Sequence, residues 1–372
     1  MKYIYDLNLE DLEEYFLQIN EKKYRAKQVY EWLYVKRVDS FEKMSNLSKN
    51  IIAQLNESFY FDELILHTKQ ESLDGTIKYL FKLKDGNYIE TVLMRYNYGN
   101  SVCVSSQIGC NMGCAFCASG QLKKVKDLTS GQITAQVMLV QKDIEINEER
   151  VSHVVVMGIG EPFDNYDNVM KFIRNINNPF GLAIGARHIT ISTCGIIEGI
   201  NKYMNEDLQT NLAISLHSAI NETRSKLMPI NVKDDLQVLK ESINQYIQKT
   251  NRRVTFEYIL LKGINDSEED AKNLIKYARG MNVYINLIPY NSVDNTTFKN
   301  VSRNEANKFS QYLKDAKINV TIRKEHGTDI DAACGQLRSK KEKEWVYEEI
   351  CNNWYWKSQR IKSRPSLCLY KQ

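Results

Sequence analysis

From Ser101 onward, short β-branched runs alternate with stretches of helical spacing, and this alternation restricts the chain to a parallel sheet. The runs are Ser101–Ser106, His153–Gly158, His188–Thr193, Asn211–His217, Val254–Leu261, Val283–Pro289 and Asn319–Lys324. The intervals between them hold helical crossovers, as in Met138–Ile146 and Leu236–Gln248. About six βα repeats are too few for a closed eight-stranded barrel. The expected fold is therefore α/β, an open or partial (βα)6 barrel. In βα barrels the reactive side chains sit at the C-terminal ends of the strands. The unusual residues of this chain fall there: Gly158-Ile159-Gly160-Glu161-Pro162, Ser192-Thr193-Cys194-Gly195, Ser215-Leu216-His217 and Pro289-Tyr290-Asn291. Each motif alone reads as a turn. Their shared placement at one mouth makes them a candidate site.

Residues 1–95 read as a smaller unit of different texture. Helical spacing runs over Leu7–Ile19, with Asn8 as N-cap, then over Arg25–Val38 and Ile51–Phe59. Two strands, Thr76–Leu83 and Tyr88–Tyr96, flank Lys84-Asp85-Gly86-Asn87, a hairpin signal. The second helix mixes Lys and Arg with Tyr30, Trp32 and Tyr34. Two readings stand for it: an RNA-holding face that uses phosphate contacts and stacking, or an ordinary helix with a packed aromatic side. Residues 96–338 form the expected barrel core. Residues 339–372 form a basic tail, with a helix over Glu342–Trp354 followed by Lys357, Arg360, Lys362 and Arg364. It reads either as an RNA-contacting appendage or as a peripheral segment.

A hydrophobic content of 43% over 372 residues supports a sizeable core, and the net charge of +4 permits nucleic-acid binding without arguing for it. No stretch approaches the roughly 18–20 apolar residues of a membrane span. The acidic, amphipathic N-terminus is unlike a secretory signal. Eight Cys then favour metal or redox chemistry over a disulfide framework, and a cytoplasmic setting is expected.

Three of those thiols, Cys110, Cys114 and Cys117, stand in a C-x3-C-x2-C run with Phe116 before the last. A [4Fe–4S] cluster ordinarily takes one thiolate per iron, so three ligands leave one iron open. An open iron can bind the amino and carboxylate groups of S-adenosylmethionine and pass an electron to its sulfonium, which yields a hydrogen-abstracting radical. The alternative is a structural zinc site completed by Cys103 or a distant Cys. Such sites usually show a second pair of ligands, and none occurs here.

The cluster motif resembles the radical-SAM superfamily. Further motifs make the chain similar to the RlmN/Cfr family of radical-SAM RNA methyltransferases. They are Cys103-Val104-Ser105-Ser106-Gln107, Met157 to Pro162, Ile191-Ser192-Thr193, Ser215-Leu216-His217, Asn286 to Asn291 and Asp329 to Leu337, the last carrying Cys334. They span about Glu90 to Leu337. The resemblance implies a [4Fe–4S] cluster on Cys110, Cys114 and Cys117, and two S-adenosylmethionine molecules per turnover. It implies that Cys334 first accepts a methyl group and that radical chemistry then joins its carbon to an adenine. Cys103 matches the thiol that releases the product through a transient disulfide. Glu90 matches the proton acceptor, a part that Cys103 could also take. Gly160, Glu161, Ser192, Ser215, Leu216, His217 and Asn291 match the S-adenosylmethionine contacts.

The implied reaction is methylation of adenine C2 in 23S rRNA and of the tRNA adenine beside the anticodon. C8 methylation of the same rRNA adenine is the alternative within the family. A non-catalytic, zinc-stabilised RNA-binding protein is the alternative outside it. An external one-electron reductant such as flavodoxin or ferredoxin, no membrane partner and a monomeric state are also expected. One segment departs from the family pattern: Lys123 stands where a Gly is usual, and Lys126-Asp127 where Arg-Asn is usual. The added lysines suit phosphate contact.

Overall fold

The computed structural model describes residues 1–293 and 296–337. Three helices, α1 (Leu9–Gln18), α2 (Tyr24–Tyr34) and α3 (Lys49–Ser58), open the chain. Asn8 caps α1 as expected, in a capping box with Asp11. Ten strands then form one sheet: β1 (Leu64–Glu71), β2 (Ile77–Leu83), β3 (Tyr88–Tyr96), β4 (Gly99–Val104), β5 (Val151–Val156), β6 (Ile189–Thr193), β7 (Asn211–Ser215), β8 (Val254–Leu260), β9 (Val283–Pro289) and β10 (Val320–Ile322). Each strand pairs with its neighbours in chain order. The pairing from β1 to β4 is antiparallel, and from β4 to β10 it is parallel.

Helices fill the parallel crossovers: α4 (Ser130–Ile144), α5 (Tyr166–Asn177), α6 (Ile197–Tyr203), the run α7 (Asn221–Leu227), α8 (Ile230–Lys233) and α9 (Leu236–Thr250), then α10 (Glu268–Ala278) and α11 (Arg303–Asp315). Six crossovers and an open sheet match the expected partial barrel. Side chains alternate across each strand. Val102, Val104, Val154, Val156, Ile189 and Ile191 point to the helices and join Ile133, Val137, Phe172 and Ile173 in the main core. The other face carries Cys103, Met157, Ser192, Ser215 and Glu257 toward an open cleft.

The expected boundary near residue 95 falls inside this sheet. β3 hydrogen-bonds β4 from Val92↔Cys103 to Tyr96↔Gly99, and residues 1–338 form one compact unit. The helices of the N-terminal segment dock on the barrel's own. Tyr30 Oη donates to the Asn175 carbonyl of α5 at 3.1 Å, and the rings of Tyr30 and Tyr34 are fully buried. Those two aromatics pack in the core, whereas Trp32 is half-buried with Lys36 over its ring. The helix expected over Glu342–Trp354 lies outside the described residues.

Thr129 caps α4 in a capping box with Gln132, and Asp6 adds to it: its carboxylate accepts the Gly131 N–H at 2.8 Å. A Cβ on Gly131 would stand 2.6 Å from Asp6 N and 2.7 Å from a Tyr3 ring carbon. Gly131→Ala should therefore cost about 1–3 kcal/mol by overpacking. Denaturant unfolding should read this cost, and proteolysis should open the first ten or so residues before the barrel. A variant as stable as the parent would show that this seam yields without strain.

Candidate active site

The cysteine loop leaves β4 and is closed at its base by a two-residue ladder, Gln107–Ile108 against Lys126–Asp127. Gly109 turns there with φ +72°, and a Cβ on it would lie 2.1 Å from the Lys123 carbonyl, so only glycine fits. Inside the loop, the Cys117 N–H donates to the Cys114 carbonyl at 3.2 Å and the Ala115 N–H to the Leu227 carbonyl at 2.9 Å. Cys110 is buried, and Cys114 and Cys117 are half-buried. All three line one cleft. Burial, and then the neighbouring thiols, push Cys114 up; Cys110 is pushed up to about 11, chiefly by burial. A bound cation would supply the positive charge such thiolates need. Among the described residues, no three His, Cys, Asp or Glu side chains gather round a single-ion position. The three thiols line one cleft, and their donor chemistry is that of an iron–sulfur cluster.

The opposite wall comes from the strand ends. Gly160 has φ +109°, and a Cβ there would lie 2.6 Å from Gln107 Cβ. Gln107 ties three segments together: its Oε1 accepts the Glu161 N–H at 2.8 Å, and its Nε2 donates to Asp127 at 2.7 Å and Asp164 at 2.8 Å. The buried Glu161 carboxylate accepts the backbone N–H of Phe163 at 3.0 Å and of Cys194 at 2.8 Å. Burial raises its pKa, and these bonds oppose the rise. Ser192 and Ser215 place their hydroxyls 3.5 Å apart on the cleft wall. His217, at φ +56°, accepts the Ile259 N–H at Nδ1, 3.0 Å away. Its proton therefore sits on Nε2, and burial pulls its pKa down to about 3.

A second cleft adjoins the first and shares Cys117, Met157, Arg323, Cys334 and Gly335 with it. Cys103 and Asn291 line this second space only. Burial, and then Cys334, push the Cys103 thiol up to about 12. Cys334 lies on a segment fastened at two places. On one side Asp329 accepts from Ser72 Oγ at 2.5 Å and from the Leu73 N–H at 3.2 Å, and Asp74 accepts the Gly327 N–H at 3.2 Å. On the other side the Gly335 carbonyl accepts the Ala118 N–H at 2.7 Å, and the Leu337 carbonyl accepts from Ser119 Oγ at 2.5 Å. The β1–β2 turn and the cysteine loop thus hold Cys334 between them.

Two expected site residues are not among those that line the clefts. Glu90 is on β3, on the face shared with Val92 and Met94, but its carboxylate pairs with the buried Lys78 ammonium at 3.7 Å and lines neither cleft. The Leu216 side chain is fully buried in the main core; only its backbone serves the mouth, through the Arg224 Nε–H to its carbonyl at 3.1 Å. Of the departing residues, Lys126 pairs with Asp85, and the neighbouring Lys124 pairs with Asp164 at 2.8 Å. Four residues went unread in the sequence: Gln107 for its tethering role, Arg224, Glu257 and Arg323. Glu257 alone carried a signal, as a lone acid within the apolar strand Val254–Leu260.

Fold and cleft together define a radical-SAM enzyme: a sequence model of the radical SAM superfamily matches residues 104–275. A model of the ribosomal RNA large subunit methyltransferase N-terminal domain matches residues 3–61. A crystal structure of a radical SAM methyltransferase from Sphaerobacter thermophilus superposes with a TM-score of 0.88 at 38% identity, covering 91% of this chain and 100% of that one. A probable dual-specificity RNA methyltransferase RlmN of Streptococcus mutans is 56% identical over 341 residues, 90% of this chain and 94% of its own length. Its counterpart in Enterococcus faecalis is 56% identical over 345 residues, 91% and 97% of the two chains. The chain belongs to the RlmN family. That membership sets aside the reading as a non-catalytic zinc protein.

His217 should stay neutral well below the ordinary histidine range. Its folded pKa is depressed, so the stability linked to it is present above about pH 6.5 and is lost as pH falls toward 3. In 15N-histidine-labelled, metal-free protein, the His217 ring should keep the Nε2–H signature from pH 7.5 to 5. A ring that titrates near pH 6.5 would contradict the bond to Ile259.

Proposed function

We propose that this radical-SAM RNA methyltransferase methylates C2 of an adenine in 23S rRNA and in tRNA, with Cys334 as the methyl carrier and Cys103 as the releasing thiol. The observation that carries the reading is the shared cleft. Cys334 stands where the three-thiol wall meets the space lined by Cys103. Cys110, Cys114 and Cys117 would hold a [4Fe–4S] cluster, which together with S-adenosylmethionine supplies radical chemistry there. Gly160, Ser192, Ser215, His217 and the Leu216 backbone are the proposed S-adenosylmethionine contacts on that wall, and Asn291 closes the adjoining space. Glu161 acts through the backbone it orders. His217 would offer its Nε2–H as a fixed donor.

Cys334 carries the one-carbon unit to the base, and a thioether bridge joins protein and RNA. The Cys103 thiolate then attacks the Cys334 sulfur and forms a Cys103–Cys334 disulfide, while the electron pair of the broken S–C bond goes to the new carbon, which takes up a proton to become the methyl group. The ring proton goes to Glu90, whose carboxylate pairs with Lys78 at 3.7 Å, or to the Cys103 thiolate. An external one-electron reductant such as flavodoxin or ferredoxin, a monomeric state and a cytoplasmic setting complete the proposal. In keeping with that setting, no helix among the described residues is long and apolar enough to cross a membrane.

Mass spectrometry of nucleosides from treated rRNA and tRNA should yield 2-methyladenosine, and 8-methyladenosine would move the assignment to the other ring carbon. Cys103→Ala should keep the cluster and accumulate RNA bound through Cys334 on denaturing gels; free methylated RNA without an adduct would make Cys103 a packing residue. Loss of any one of Cys110, Cys114 or Cys117 should abolish iron binding and S-adenosylmethionine cleavage together, as read by visible absorbance and chromatography.

A further inference from the structure

We propose that the barrel carries a second RNA-binding surface at the end opposite its mouth: a band of stacked rings and arginines that takes unpaired RNA flanking the target adenine. This rests on RNA as the substrate. The band begins at Tyr96, which packs against the apolar cluster that holds Met94 and Cys103. The Tyr96 ring stacks on Tyr98, with centroids 4.8 Å apart and planes at 10°. Tyr98 meets the His153 ring at 5.0 Å, and His153 stacks on His188 at 4.3 Å. Arg187 comes next. Its Nη2 donates to Gln209 Oε1 at 3.4 Å, and its carbonyl accepts from Asn211 Nδ2 at 2.7 Å. Asn211 Oδ1 in turn accepts from Arg252 Nη2 at 3.2 Å, and the Arg253 guanidinium lies 4.9 Å over the Tyr284 ring. These residues stand at the N-terminal ends of β5, β6, β7, β8 and β9, beside the turn between β3 and β4.

The chemistry of the band matches an RNA strand. Tyr98 is 65% exposed, and Arg187, His188 and Arg253 are exposed as well. The partners of the three arginines are neutral, so their charge is open to an anion. The acids on the neighbouring loops are taken: Glu149 by Arg95 and Asn100, and Glu206 and Asp207 by Arg174. Every base has a face that can stack on an aromatic ring, and every phosphate carries a charge that a guanidinium can meet. Rings beside arginines therefore fit unpaired RNA, whereas a protein partner would need an acidic face. The strands between band and mouth are five to seven residues long, which is about 17–23 Å. On their inner face Val155, Thr190, Thr255 and Asn286 are only half-buried, so the path from the mouth to the band stays open.

The test uses the cluster-loaded full chain and an unmodified 23S rRNA transcript, with binding measured across a salt series. The double variant Arg187→Gln/Arg253→Gln should lower the slope of log affinity against log salt by about 1.4–1.8, the value for two lost phosphate contacts. Its affinity near physiological salt should fall by about 10- to 30-fold. KM for the transcript should rise by the same factor with kcat unchanged, because the chemistry lies at the other end of the strands. Tyr98→Ala should weaken binding by about 5- to 100-fold, and Tyr98→Phe should restore it, since the ring alone is needed. Lys276→Gln/Lys308→Gln, on the exposed faces of α10 and α11, is the charge-matched control. Thermal melting reports whether each variant is folded. An unchanged slope in the folded double variant overturns the proposal, and so does an equal loss in the control. Loss of a dimer in the double variant, read by light scattering, would give the band to a second copy of the chain and overturns it too. A wild type that leaves the transcript unmethylated would instead overturn the proposed reaction, while the salt slope would still report on the band.

Discussion

A buried arginine holds the mouth of this barrel together. Arg224 is 1% exposed, and its guanidinium donates to the carbonyls of Cys194 at 2.7 Å, Ser215 at 3.3 Å and Leu216 at 3.1 Å, and to Asn231 Oδ1 at 2.8 Å. Burying a charge is costly unless it is fully bonded. Here the carbonyls at the ends of two adjacent parallel strands provide the bonds. The same backbone then sets everything around it. Cys194 presents its N–H to Glu161, and Ser215 and His217 follow in sequence. The Leu227 carbonyl, at the end of the helix that carries Arg224, receives the Ala115 N–H of the cysteine loop. One guanidinium thus fixes two walls of the cleft relative to each other.

The hairpin ahead of the barrel has an equally direct part in the site. Its β1–β2 turn holds Asp329 and Gly327, and through them the segment that bears Cys334. The cysteine loop grips the same segment from the other side. Cys334 is therefore placed by an antiparallel ribbon and the cysteine loop, which lie far apart in the chain.

Local signals in the sequence were legible because local physics makes them. The Asn8 cap, the turn at Gly86 and the strand–helix alternation each depend on a few consecutive residues, and the structure has all three. The three-thiol run and the strand-end motifs were legible for the same reason. What was hidden depends on distant partners. Arg224 reaches back 30 residues to Cys194 and Gln107 reaches 54 to Glu161, so nothing near either one announces its role. The Leu216 side chain faces the core because alternation along β7 puts it there, although the motif around it belongs to the mouth. The added lysine Lys126 suits phosphate contact by sequence, and only the fold brings Asp85 to it. The pairing of β3 with β4, which merges the expected accessory unit with the barrel, is likewise a matter of register between strands and not of composition.

The strict chain-order pairing of the ten strands bears on how the molecule is made. No strand has to insert between two that are already placed. The sheet can grow by one edge as the polypeptide leaves the ribosome, each new strand finding its partner in the one just finished. The cysteine loop follows β4 and is complete early. Arg323 and Cys334 arrive only after the tenth strand. A chain interrupted before that point would own the three-thiol loop but not Cys334, so synthesis itself delays completion of the site until the last strand has docked.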